Sequence, residues 1–188
     1  MEAPIITFTT AAEWEKWLSK HHTQPEGVWL RIYKKASGKL SVDYQQALDE
    51  ALCYGWIDGI KKSYDEESFI QKFTPRRPKS LWSEKNTQRI ERLTAAGKMK
   101  PAGIKEVEAA KADGRWEKAY ASGSDAQVPE DFLAALKKNK KAKAFYETLN
   151  KQNQYAIYHR LHTASKPETR AKRLAAIIEK LEKQEKFH

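Results

Sequence analysis

The chain of 188 residues has a single cysteine, Cys53. That excludes an intrachain disulfide framework and any cysteine-rich zinc site. Flanked by Leu52 and Tyr54 at the end of an apolar helical pattern, Cys53 reads as a small buried hydrophobe. No apolar run approaches the roughly 20 residues a membrane span needs, and Met1 to Thr7 hold neither a basic region nor an apolar stretch of signal length. The expected compartment is therefore the cytoplasm, with no membrane span. Also absent are a Walker-type Gly-Lys-Ser/Thr loop, a dinucleotide glycine fingerprint, His-Glu-x-x-His and Gly-x-Ser-x-Gly. Nothing thus points to an ordinary hydrolase or nucleotide enzyme, and no cofactor is expected. The five histidines form no ligand pattern. His159 and His162 stand three apart on a helical pattern, but no neighbouring carboxylate completes a metal set, so no metal is expected. His21 and His22 fall at a helix end, where the dipole accounts for them.

What the chain does contain is enough apolar and aromatic material, 40% and 11%, for a real core in one domain or two small ones. The 35 basic and 25 acidic residues leave +10, which favours anionic partners but also aids solubility. The signs are interspersed along the helical patterns, and most of this charge reads as a solvated surface.

The patterns then alternate in type. Ile5 to Phe8 reads as a short strand, and Thr10 with Glu13 as a capping box for a helix whose Trp14, Trp17 and Leu18 share one face. Val28, Leu30 and Ile32 alternate with Trp29, Arg31 and Tyr33, the mark of a strand with one buried face. Asp43 and Gln46 cap a further helix, which ends at Gly55 in a left-handed cap. Residues 56–60 and 69–74 form an antiparallel hairpin that Pro75 and Pro78 terminate. Helices are expected from Ser83 to Gly97 and from Pro101 to Gly114. All six tryptophans precede a polar linker at 121–125, and the 14 basic and 7 acidic residues beyond it carry +7 of the net charge. That part is helical throughout, its last helix opening on a capping box of Ser165 and Glu168. The expected fold class is α+β: a small, mainly antiparallel sheet with flanking helices, then a helical C-terminal portion. The expected domains are 1–120 and 129–185, joined by 121–128.

The chemistry is concentrated between Leu52 and Ser83, where aromatic surface, special backbone and charge occur together. Arg76, Arg77 and Lys79 precede a helix start, where free N–H groups and the positive dipole end suit a carboxylate, phosphate or sulfate, and Ser80 and Ser83 add hydroxyl donors. The alternative is that these cations pair with Asp58, Asp65, Glu66 or Glu67 across the hairpin. Tyr54, Trp56 and Trp82 read either as a stacking wall beside the loop or as core pieces. Asp58 reads as an ion-pair partner or as a general base. The expected ligand site is Tyr54, Trp56, Asp58, Arg76, Arg77, Lys79, Ser80, Trp82 and Ser83. Two other classes stay open. One is nucleic-acid binding through Lys137, Lys138, Lys140, Lys141, Arg170 and Arg173, and the other is an enzyme using Asp58 as acid or base.

The runs Ala51-Leu52-Cys53-Tyr54-Gly55-Trp56-Ile57-Asp58-Gly59, Phe73-Thr74-Pro75-Arg76-Arg77-Pro78-Lys79-Ser80 and Trp82-Ser83, with Lys166-Pro167-Glu168-Thr169-Arg170-Ala171-Lys172-Arg173 near the end, resemble the YdeI/OmpD-associated, bacteriocin-protection family across nearly the whole chain. The resemblance implies a role in resistance to bacteriocins or cationic peptides but carries over no catalytic residues. A chain at +10 is a poor sponge for cationic peptides. The combined expectation is a stress- or resistance-associated protein that holds a small anionic ligand at 56–83.

Overall fold

The computed structural model describes residues 3–123 and 126–188; Ser124 and Asp125, the end of the expected linker, lie outside the described residues. The chain divides into two compact units. One comprises the chain up to Ser80 together with Asn86–Glu117, and the other Leu81–Lys85 together with Lys118–His188.

The first unit is built from β1 (Ile5–Ile6), α1 (Ala11–His21), β2 (Val28–Tyr33), α2 (Tyr44–Cys53), β3 (Trp56–Ser63), β4 (Ser68–Pro75), the body of α3 (Glu84–Ala95) and α4 (Pro101–Ala112). Its sheet runs β1-β2-β4-β3, parallel between β1 and β2 and antiparallel elsewhere. The local signals act as read: both capping boxes form, Thr10 with Glu13 on α1 and Asp43 with Gln46 on α2. Gly55 takes φ +74°, turning the chain from α2 straight into β3.

Strand alternation buries Val28, Leu30 and Ile32. Beneath the sheet Trp14 packs 5.3 Å from Trp17, 5.7 Å from Phe73 and 6.4 Å from Trp56, centroid to centroid. The polar atoms of these rings are satisfied internally: Trp14 Nε1 donates to the Ala47 carbonyl at 3.0 Å and Trp56 Nε1 to the His22 carbonyl at 2.7 Å. His21 and His22 each place Nδ1 on a carbonyl of the last α1 turn, Trp17 O at 2.8 Å and Leu18 O at 3.1 Å. The hairpin register shifts between Asp58 and Lys61. There Gln71, 3% exposed, sends Nε2 to the Gly59 carbonyl at 2.9 Å, satisfying a backbone group that the bulge removes from the ladder.

The second unit contains α5 (Glu130–Lys138), α6 (Lys140–Glu147), α7 (Lys151–His162) and α8 (Pro167–Glu182) around a core of Phe132, Leu136, Leu149, Ile157, Leu161 and Leu181. Asn139 and Asn150 cap α6 and α7 through their side chains. The expected Ser165 capping box is not formed. Pro167 occupies the first turn of α8, and the cap position falls one residue later, on Lys166, without a side-chain bond. A proline preset at φ near −65° defines that start more strongly than a serine hydroxyl two residues upstream.

Candidate functional site

The stretch that follows β4 is cationic. Between Pro75 and Ser80 the sequence holds Arg76, Arg77 and Lys79 and no acid. Arg76 is anchored at both ends. Its N–H donates to the Gly55 carbonyl at 3.0 Å, and Nη1 reaches Ser80 Oγ at 3.3 Å, so the buried arginine ties the loop back to the α2–β3 turn. Arg77 and Lys79 are exposed. The Ser80 N–H closes a turn on the Arg77 carbonyl at 3.0 Å, and within this turn Lys79 sits at φ +62°, a conformation that L side chains adopt at some cost.

A fourth cation joins the loop from far along the chain. Arg115 donates through Nη1 to the Ser80 carbonyl at 2.8 Å, while its Nε lies 2.8 Å from both oxygens of Asp113. The Arg115 hydrogen bond is the main force that holds the Asp113 carboxyl below the usual range, with Lys79 adding its field. The Arg115 side chain is 14% exposed. Sequence spacing conceals this pair, since 35 residues separate Ser80 from Arg115; the local sign is the Asp-Gly-Arg turn at 113–115.

The other expected site residues lie as follows. Trp56 has no exposed surface and belongs to the aromatic core, beside Trp14 and Trp17, which leaves it no open face for stacking. Tyr54 is also buried and donates its hydroxyl to Glu15 at 2.5 Å, beside Lys100 at 3.2 Å. Burial, then Glu15, pushes the Tyr54 phenol up, and the Tyr54 hydroxyl in turn holds the Glu15 carboxyl below its ordinary value. Asp58 accepts from the Tyr44 hydroxyl at 2.8 Å, and burial followed by this bond drives the Tyr44 phenol upward. The hairpin acids Asp65 and Glu67 pair with Arg31 and Lys39. Cys53 is buried, and desolvation pushes its thiol up to about 12, which leaves it unreactive. Trp82 and Ser83 belong to the second unit, where the Trp82 carbonyl accepts from the Tyr120 N–H at 3.0 Å and Ser83 forms a parallel bridge to Tyr120.

In the second unit the arginines of the 166–173 run have a structural use. Arg170 grips Asp131 with Nε and Nη2 at 2.7 and 2.8 Å and places Nη1 on the Leu161 carbonyl at 2.7 Å. Arg173 places Nη1 on the Arg160 carbonyl at 2.8 Å and 3.2 Å from Thr163 Oγ1. Two cations three residues apart on α8 thus close the exposed carbonyl end of α7. A cleft of about 880 Å³ opens beside them, lined among others by Tyr155, His159, Arg160 and Arg173. Burial is the main cause that lowers the His159 pKa, with His162, Arg160 and Arg173 adding to it. Among the described residues no helix is long and apolar enough to cross a membrane, and no group of three or more His, Cys, Asp or Glu could hold a metal ion.

Residues 6–106 match the model of the family described as Domain of unknown function (DUF8412), and residues 125–184 that of the family described as Bacteriocin-protection, YdeI or OmpD-Associated. The second match bears out the resemblance read from the sequence but narrows its extent. Only the 166–173 run falls inside 125–184, whereas the motifs at 51–59 and 73–80 lie in the stretch matched by the first family. No curated protein and no solved structure matches the chain.

Proposed function

The chain belongs to the family described as Domain of unknown function (DUF8412), and from that premise we propose that it is a resistance-associated binding protein that holds a small oxyanion on the loop at 76–80. The bacteriocin-protection segment at 125–184 supports the resistance role. The anion site rests on one observation above all: Arg115 reaches Ser80, adding a largely buried guanidinium to a loop that already carries three cations and no acid. Arg77 and Lys79 supply exposed charge, the Ser80 hydroxyl supplies a donor, and Asp113 keeps Arg115 aimed. Phosphate, sulfate and small carboxylates share the required geometry of several oxygens on one centre. Tyr54, Trp56 and Asp58 build the floor that holds the α2–β3 turn, to which Arg76 is bound. Trp82 and Ser83 continue the same sequence run into α3.

Calorimetric titration with inorganic phosphate tests this reading on the full chain. Arg77→Ala removes only an exposed side chain, and Arg115→Lys keeps the charge but loses the fork. Each is expected to weaken binding about 10-fold or more, since a charge-assisted hydrogen bond contributes roughly 1.5–3 kcal/mol. Equal affinity in both variants and the parent, or no phosphate binding by the parent, would overturn it.

A further inference from the structure

The sheet face turned away from the aromatic core carries a second arrangement. Register places Trp29 opposite Lys72 and Arg31 opposite Ile70 on β2 and β4, with Lys62 opposite Ile70 on β3. These side chains interleave. Lys62 Nζ lies 4.9 Å and Lys72 Nζ 5.4 Å from the centre of the Trp29 ring. The Arg31 guanidinium lies 4.7 Å from Tyr33 and 4.8 Å from Tyr64. Trp29, Arg31, Tyr33 and Lys72 are half-buried, whereas Lys62 is exposed and Tyr64 is 48% exposed. Among the described residues Lys72 forms no salt bridge, and its pKa is lowered, chiefly by desolvation, with the field of Glu26 opposing the shift. Trp29 and Tyr33 stand four residues apart on one strand, which separates the two rings by about 13 Å along the sheet.

We propose that this face, formed by Trp29, Arg31, Tyr33, Lys62, Tyr64 and Lys72, binds single-stranded nucleic acid. Unpaired bases present π-faces on either side and a phosphate on every link. A row of rings separated by cations matches both at once, the rings taking bases and the cations taking phosphates. Lysine ammonium groups over a ring are held by about 1 kcal/mol at an exposed site, so they swing aside for an incoming base and remain beside its phosphate. A duplex hides its base faces and cannot use the rings. Asp65, paired with Arg31 at 2.5 Å, is the acid that a phosphate would have to displace, which places the stronger end of the site at Trp29.

The test is fluorescence anisotropy of a labelled twelve-residue oligothymidine with the full chain at low salt. Binding is expected, with a log–log salt slope of about −2, corresponding to three phosphates on Arg31, Lys62 and Lys72. Lys62→Glu, at an exposed position, is expected to weaken binding about 10-fold. Trp29→Leu should weaken it roughly 5- to 150-fold, the range for losing one base–ring stack. Reversing Lys137, Lys138, Lys140 and Lys141 on α5 and α6 should leave it within twofold. No binding, equal affinity for a duplex of the same length, or loss with the α5–α6 reversals while Lys62→Glu binds as the parent does, would overturn the proposal.

Discussion

Gly103→Ala is expected to destabilise the first unit by about 1–3 kcal/mol, even though alanine is worth about 1 kcal/mol more than glycine inside a helix. A Cβ built on Gly103 would stand 2.2 Å from the Cys53 carbonyl oxygen, 2.8 Å from the Cys53 carbonyl carbon and 2.9 Å from the Leu52 oxygen. All three are backbone atoms, so no side chain can rotate aside. Helix α4 would have to lift from the end of α2, and two neighbouring contacts would loosen with it. One is the Lys100 N–H on the Cys53 carbonyl at 3.1 Å. The other is the approach of Gly55, whose own Cβ would meet the Ala102 oxygen at 3.0 Å. Overpacking of this kind costs about 1–3 kcal/mol and a lost buried hydrogen bond about 1 kcal/mol more, which together outweigh the propensity gain. Gly97→Ala is the control. Its φ is +67° but nothing lies within 4 Å, so only conformational strain of about 1 kcal/mol is expected. Urea midpoints measured by tryptophan fluorescence separate the two effects; a Gly103→Ala protein as stable as its parent would show that α4 does not rest on this contact.

Arg170→Ala is expected to cost the second unit about 2 kcal/mol. It removes a bidentate pair with Asp131 and takes from the Leu161 carbonyl, at the end of α7, its charged donor, leaving the Ala164 N–H at 3.2 Å. Both partners of the pair are about a third exposed or slightly more, so solvent screening limits the Coulombic share and the loss of the charge-assisted hydrogen bonds dominates. Arg170→Lys should recover less than half, because an ammonium cannot reach Asp131 and the Leu161 carbonyl together. Hydrogen exchange in the last turn of α7 reads the effect directly: protection there should fall more than protection in α6. Unchanged exchange at residues 159–163 would mean that the helix end closes without Arg170.

The same pair sets an acid dependence. The Arg170 hydrogen bond is the first cause of the lowered Asp131 pKa, and a carboxyl depressed in the folded state stabilises fully above its unfolded value near 4. That stabilisation is lost as the pH falls from there through the folded pKa. His159 works in the same direction at higher pH. Burial lowers its pKa, so below about 6.5 the unfolded chain takes up the proton first and the second unit loses stability. Stability of this unit should therefore decline in two steps as the pH is lowered, near 6 and below 4. His159→Gln should remove the first step and Arg170→Ala should shrink the second, as thermal unfolding across pH 3 to 8 would record.

Short-range physics made much of this chain legible from its sequence. Thr10 with Glu13, Asp43 with Gln46, Gly55 and Pro101 act within one turn of themselves, so the helices they begin or end could be placed without knowing what they pack against. Alternation likewise assigned Val28, Leu30 and Ile32 to a buried face and paired β3 with β4. The Ser165 box failed because two local signals competed within two residues and the proline was the stiffer. What the tertiary structure alone decided are relations across tens of residues. Trp56 went to the core because His22, 34 residues earlier, offers its carbonyl to the indole. Arg115 joined the Arg76–Ser80 loop across a separation of 35 residues, and Gln71 took over the Gly59 carbonyl at the bulge. Composition and period say which residues seek burial or charge, but each such pairing depends on where two remote segments meet. Only the folded chain sets that distance.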